Sequence, residues 1–460
     1  MRGLPAIASA EAFRVRRWDV LILGTALPGL AAAARLGQRG LRVMVLQEGA
    51  TDPALERARE PFLLSDGGGD GVLAQCLRAL GVPLIDQRRF APEDVALQVC
   101  DAERRIDLGR AGHTAEELES WGLCSRAEAR SWLQALDDAA ERERAELLTA
   151  DLSLGAARRA REVIAAPRRA VAQRGWPAAL EAASPELRRL LDAPLEALAP
   201  GDGPGPAPEV RARLLGGLLR GGVAARGEGG LRGLLRRRVE TLYGEIRPLE
   251  RSFHLVSVSN QPGLAVEGSK EIWSGRVLVL NAPPAALAAA SGEPPPEVLQ
   301  GAPLRWRRLT LHFQGEPDLL PPSMAERVLW RPDAGELVAL RAFRGRRKSD
   351  PFDLFASLVI PTGDTAAEAH GRERIEACLR DLLPFSEDGL HEQPLPERRW
   401  DSDALLSDTP RAGWPAEPQL RLSSRPPIFH LDRHAVAGLG GEGEMWLGWR
   451  AGDAIAEELG

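Results

Sequence analysis

The sequence predicts a two-domain α/β protein: a parallel-sheet domain assembled from separate stretches, with an α+β domain inserted into it. Three observations predict this. Near the start, Asp19–Gly49 runs through a short apolar stretch, a glycine turn, an alanine-rich stretch and a second apolar stretch. That is the pattern of strand, helix and parallel strand. The same style returns at Gly227–Leu280 and again in the last thirty or so residues. Between Arg307 and Trp400 the apolar residues instead recur at every second position, as expected of an antiparallel sheet with one covered face.

Each element has a local reason. Val20–Leu23 is apolar throughout, the mark of a strand buried on both faces, and Gly24 begins a tight turn. Leu30–Leu36 is a good helix former, Gly40 stops it, and Leu41–Leu46 is a second buried strand. Pro28 falls in the first helical turn, where its missing N–H is harmless. Gly67, Gly68, Gly69 and Gly71 lead into a helix over Val72–Leu80, and "VALQVCDAERRIDLG" reads as a hairpin. A helical stretch rich in Arg, Glu and Ala follows from His113 to Arg213, broken by Leu195–Pro208. Gly229 and Gly230 precede another helix, and Val277–Leu280 is a buried strand closed by Asn281 and Pro283-Pro284. The expected boundaries are 15–112, 218–300 and 412–460 for the first domain, with 113–217 (helical) and 301–411 (sheet) forming the inserted one.

The chain has 460 residues and a net charge of −6, which excludes the basic footprint of a nucleic-acid binder. Only Lys270 and Lys348 are lysines, so arginine carries nearly all positive charge. Cys76, Cys100, Cys124 and Cys378 are widely spaced; reduced thiols in a cytoplasmic protein are expected, with neither a disulfide framework nor a zinc site. No apolar run approaches the roughly 20 residues that cross a bilayer. The Arg158–Arg174 stretch leaves a peripheral membrane contact open, a solvated helix face being the simpler reading.

A dinucleotide fingerprint uses three glycines: one for the turn, one for backbone approach to a diphosphate, one for helix–strand packing. Gly24 and Gly29 hold the first and third places, but Ala26 holds the second. Gln47 stands where an acid would grip a ribose hydroxyl, followed by Glu48. The Rossmann-type unit is therefore expected, while cofactor retention is left open. His430 and His434 flank Asp432 without a third ligand nearby, so no metal site is expected. His254 and His312 are lone strand histidines; Trp446 and Trp449 suit core packing.

These blocks, in this order, resemble the phytoene desaturase and amine oxidase branch of the FAD-binding oxidoreductases from Asp19 to the end. "DVLILGTALPGLAAAARLGQRGLRVMVL" is similar to the family's first unit, and Ser65-Asp66-Gly67-Gly68 to its D-x-G-P segment. "GEGGLRGLLRRRVETLYGEIRPLERSF" resembles the segment whose strand end meets the adenine, with Phe253 near that position. "VLVLNAPPAALAA" resembles the strand returning to the flavin domain, and "GLGGEGEMWLGWRAGDAI" the terminal flavin-contacting loop and helix. The resemblance implies a Rossmann-like FAD/NAD(P)-binding domain and FAD as cofactor. Its contacts would come from Gly24, Ala26, Gly29, Gln47, Glu48, Gly67, Gly68, Phe253, Gly440, Gly441 and Glu442, with Asp432 standing in for a ribityl-gripping acid. The implied reaction is hydride transfer from an apolar, isoprenoid-type substrate to flavin; no catalytic side chain is assigned.

The departures all fall on the cofactor: Ala26, Gln47, the missing Gly-Gly-Arg loop in "QEGATDPALERAREP", and the unclear Gly-Asp in "HLDRHAVAGLGG". They raise a second expectation, a non-catalytic lipid- or prenyl-binding protein on the same scaffold, as in Rab GDP-dissociation inhibitors.

Overall fold

The computed structural model describes residues 4, 13–64, 70–90, 92–150, 183–199, 208–223, 229–290, 299, 304–332, 335–345, 347, 349–386, 389–406 and 420–460. The Gly67–Gly68 segment and the Arg158–Arg174 stretch lie outside the described residues.

The strands are β1 (Arg14–Leu23), β2 (Val43–Glu48), β3 (Val95–Cys100), β4 (Arg105–Gly109), β5 (Glu245–Leu249), β6 (Phe253–Val258), β7 (Gln261–Val266) and β8 (Glu271–Leu280). They continue with β9 (Trp306–Gly315), β10 (Arg327–Trp330), β11 (Val338–Phe343), β12 (Phe352–Pro361), β13 (Leu390–Gln393), β14 (Leu405–Leu406), β15 (Arg421–Ser424) and β16 (Pro427–His430).

The first sheet has the order β15-β16-β8-β1-β2-β5, and the run from β16 to β5 is parallel. Chain order therefore reverses between β1 and β8, and their carboxyl ends flank the crevice where open α/β sheets take ligands. Both faces are covered because side chains alternate. Val20, Ile22, Val43, Val45, Val277 and Val279 enter the core beneath the first helix, Leu27–Gln38. Leu21, Leu23, Met44, Leu46, Leu278 and Leu280 enter a separate cluster on the other face, with Phe253 and Trp400. The closing helix, Gly440–Leu459, lies against the first one: a Cβ at Gly448 would sit 2.3 Å from the Pro28 carbonyl oxygen.

The second sheet has the order β13-β9-β12-β11-β10-β3-β4. Its pairs are antiparallel except β10 with β3. One face is sealed by the Thr365–Leu382 helix through Ile375, Cys378 and Leu379. The hairpin β3–β4 forms as expected, but it closes this second sheet rather than belonging to the 15–112 part of the first domain. Parallel pairing across more than two hundred residues leaves no local trace. The helical region contributes Arg126–Thr149, Pro185–Leu198 and Pro208–Leu219. No helix among the described residues is long and apolar enough to cross a membrane.

Candidate functional site: a closed dinucleotide crevice and an open cleft

Gly24 begins the turn after β1 with φ +106°, and its carbonyl and that of Ala26 accept from the Asn281 side-chain amide at 3.1 and 3.0 Å. Asn281 follows β8, so it bridges the mouth of the crevice. Gly29 has an internal reason to be glycine: a Cβ there would lie 2.0 Å from Asn281 Nδ2. At the tail, Gly440 and Gly441 share a cavity with Leu27 at the head of the first helix. The two helix ends converge over one hollow.

That hollow is filled by the chain. Asp403, the last residue of an excursion between β13 and β14 (Arg398–Asp403), lines it from the second domain. Glu48 pins the excursion by accepting from the backbone N–H groups of Arg399, Trp400 and Asp401 at 2.8, 2.8 and 3.2 Å. Trp400 packs edge-on against Phe253, ring centroids 5.7 Å apart, in the buried cluster beside β2 and β5. Asp401 then takes both donors of Thr25, the backbone N–H at 2.8 Å and the hydroxyl at 2.7 Å. A second helix N-terminus is taken likewise. Glu60 accepts from the N–H of Leu231 at 2.9 Å and of Arg232 at 2.7 Å, at the start of the Gly230–Thr241 helix. Unpaired N–H groups at helix starts attract anions; here the anions are side chains.

Three guanidinium groups complete the closure around Asp403. Arg59 meets it at 2.7 Å, Arg232 at 3.1 Å and Arg433 at 3.1 Å. Arg59 also reaches Asp401 at 2.9 Å, Arg232 reaches Glu56 at 3.2 Å, and Arg433 reaches Glu444 at 3.2 Å. Burial by itself would raise the Asp403 carboxyl, but the three arginines outweigh it and hold it well below the usual range. Glu60 goes the other way: burial raises it to about 7 despite its two N–H donors.

The remaining expected residues have local duties. Gln47 donates to the Gly49 carbonyl and Thr51 and accepts from Arg236. Asp432 accepts from the His434 N–H at 3.0 Å; against the upward pull of burial, His434 and His430 hold it at about 2. Glu442 is fully buried in the first turn of the closing helix. Trp446 is buried in the main core. Among the described residues no His, Cys, Asp and Glu cluster is arranged to hold a metal.

Beside the closed crevice lies an open cleft of about 570 Å³, between Leu55–Arg59, the β9 face and the 393–404 segment. The hollow itself retains only about 60 Å³, far below the roughly 300–1,000 Å³ of ligand pockets.

No protein-family model and no curated protein sequence matches the chain. Solved structures do. The chain is similar to a putrescine oxidase redesigned in its cofactor binding, with a TM-score of 0.54, 15% identity, and 97% of this chain and 100% of that one covered. Cyclohexylamine oxidase from Brevibacterium oxydans gives 0.52 at 16% identity, over 96% and 99% of the two chains. An oxidoreductase from Methanosarcina mazei gives 0.57 at 12%, over 94% and 99%. The chain shares with these oxidases a mixed α/β fold built on a parallel sheet.

Three places on this fold could meet a diphosphate: the Thr25 N–H, the start of the Gly230–Thr241 helix and the hollow at Gly441. Asp401 and Glu60 already satisfy the first two, and the third is too small. The residues present do not fit FAD. Sequence reading placed Gly24, Ala26, Gln47 and Glu48 at the crevice but did not find Thr25, Arg59, Glu60, Arg232, Asp401, Asp403 or Arg433. The one available signal was the acidic pair in "WDSD" within an arginine-rich surrounding, and nothing in its spacing points to Thr25, 376 positions away.

Glu60 gives a pH test. In the unfolded chain it loses its proton near 4.5, in the folded one near 7. Between these values the fold retains a proton that the open chain has released, so stability falls as pH rises, by up to about 3 kcal/mol from this group. Glu60→Gln should flatten that slope, read from urea midpoints at pH 4.5, 6 and 7.5; an unchanged slope would show that Glu60 is solvated.

Proposed function

We propose that the chain is a cofactor-independent ligand-binding protein on an oxidoreductase fold. The observation that carries this reading is the Asp401 carboxylate on the Thr25 N–H and hydroxyl, the place where the fold offers its first helix to a diphosphate. Ligand capacity then lies in the neighbouring cleft, open to a small molecule or lipid with an apolar part.

A second reading is an FAD-dependent oxidoreductase taking hydride from an apolar, isoprenoid-type substrate. The whole-length likeness to amine oxidases favours it, and it requires Asp401 and Glu60 to withdraw. Absorbance of the purified protein and quenching of flavin fluorescence on titration separate the two. The expected result is a colourless preparation with no saturable FAD binding up to about 1 mM, which limits any affinity to about 4 kcal/mol. A yellow preparation with one FAD per chain would overturn the cofactor-independent reading.

A further inference from the structure

The Arg398–Asp403 excursion meets the crevice in a nucleotide's own order. In a βαβ nucleotide unit the diphosphate lies on N–H groups at the glycine turn and helix start. An acid about twenty residues on, at the end of the second strand, takes the ribose hydroxyls, and the base lies beyond it. The excursion puts one group at each of these places. Asp401 accepts from the N–H and hydroxyl of Thr25, the residue after Gly24, at 2.8 and 2.7 Å, and Arg59 stands 2.9 Å away as countercharge. Burial by itself would raise this carboxyl, but Arg59 and the Thr25 donors outweigh it and bring it below the usual range, so an anion sits at the turn. Glu48, the last residue of β2, accepts from three backbone N–H groups in place of sugar hydroxyls. Trp400, 3% exposed, joins one apolar cluster with Leu46, Leu249 and Phe253, at the carboxyl ends of β2 and β5.

Ordinary packing of a loop over a sheet end does not call for this combination. Such a loop buries apolar groups, whereas Asp401 carries a charge into a place where it is 2% exposed. Glu48 commits a single oxygen, Oε2, to three consecutive amides. The substitutions are also chemically close. Indole and adenine are planar fused bicycles of similar size, so one apolar slot accepts either. A carboxylate and a phosphate both offer anionic oxygens to an N–H.

We infer that Trp400 and Asp401 are an intramolecular mimic of an adenine nucleotide, indole for base and carboxylate for phosphate, and that they exclude such a nucleotide by occupying its place. This rests on the cofactor-independent reading above and adds to it the pair of side chains that keeps the crevice closed to nucleotides.

The test removes the two side chains and offers the free ligand instead. The full chain carrying both Trp400→Gly and Asp401→Gly is titrated calorimetrically with ADP and with inorganic diphosphate, beside the wild type. The expected result is saturable ADP binding by the variant with a Kd at or below about 1 mM, at least about tenfold tighter than by the wild type. Inorganic diphosphate, which has no base to fill the vacated slot, should bind the variant more weakly than ADP. If the double variant does not fold, Asp401→Gly alone keeps Trp400 in its apolar seat and carries the test. Its melting temperature should rise with inorganic diphosphate while that of the wild type stays put. A folded double variant that binds ADP no better than the wild type, equal binding of ADP and inorganic diphosphate, or no rise in the single variant would overturn the mimicry and leave the cofactor-independent reading standing. ADP bound as tightly by the wild type as by the double variant would sink both.

Discussion

Replacing Asp403 by alanine is expected to remove about 3–5 kcal/mol of folding stability, the cost of stripping one partner from a buried charge cluster. The carboxylate meets Arg59, Arg232 and Arg433, so its loss leaves three cations facing one another out of water. Asp403→Asn should recover little, since an amide offers one acceptor and no charge. Chemical denaturation of the two variants beside the wild type measures this. A loss below about 1 kcal/mol, the value of an exposed ion pair, would mean that the crevice is wet and open. That outcome would return the site to a cofactor.

Gly24→Ala is the second large effect. The residue sits at φ +106°, and an added Cβ would stand 2.6 Å from the Asn281 carbonyl oxygen, a backbone atom that cannot swing aside. Backbone strain and overpacking, each about 1–3 kcal/mol, should together cost about 3 kcal/mol. Gly40→Ala is the control, because it shares the positive φ, +83°, and meets nothing within 4 Å; about 1 kcal/mol is expected there. Equal losses at the two positions would show that the Asn281 bridge contributes nothing. Ala26→Gly, which restores the fingerprint, should not confer FAD binding, since Asp401 still occupies the donors beside it.

The fold was legible because its signals are local. Val20–Leu23, Gly24 and the alanine run to Leu36 specify a strand, a turn and a helix within one short window. The same holds for the β3–β4 hairpin, although not for its sheet, which is set by pairing with β10 far along the chain. The closed site was illegible for a related reason. Thr25 and Asp401 meet only after both domains have formed, and Glu60 and Arg232 only after distant parts of the first domain have come together. Each looks alone like an ordinary surface residue. The weakened fingerprint at Ala26 and Gln47 did signal that something had changed at the crevice, but not that a distant tryptophan and aspartate had moved in. His312 illustrates the same limit: a lone strand histidine reads as packed, and only the structure shows its empty Nδ1.

The Arg398–Asp403 excursion has a consequence for how such a protein lives. On the cofactor-independent reading its keystone is covalently part of the molecule, so maturation would need no loading step. Cells starved of riboflavin should accumulate as much of it as well-fed ones, and excess flavin should not shift its melting, because mass action stabilises only what the native state binds.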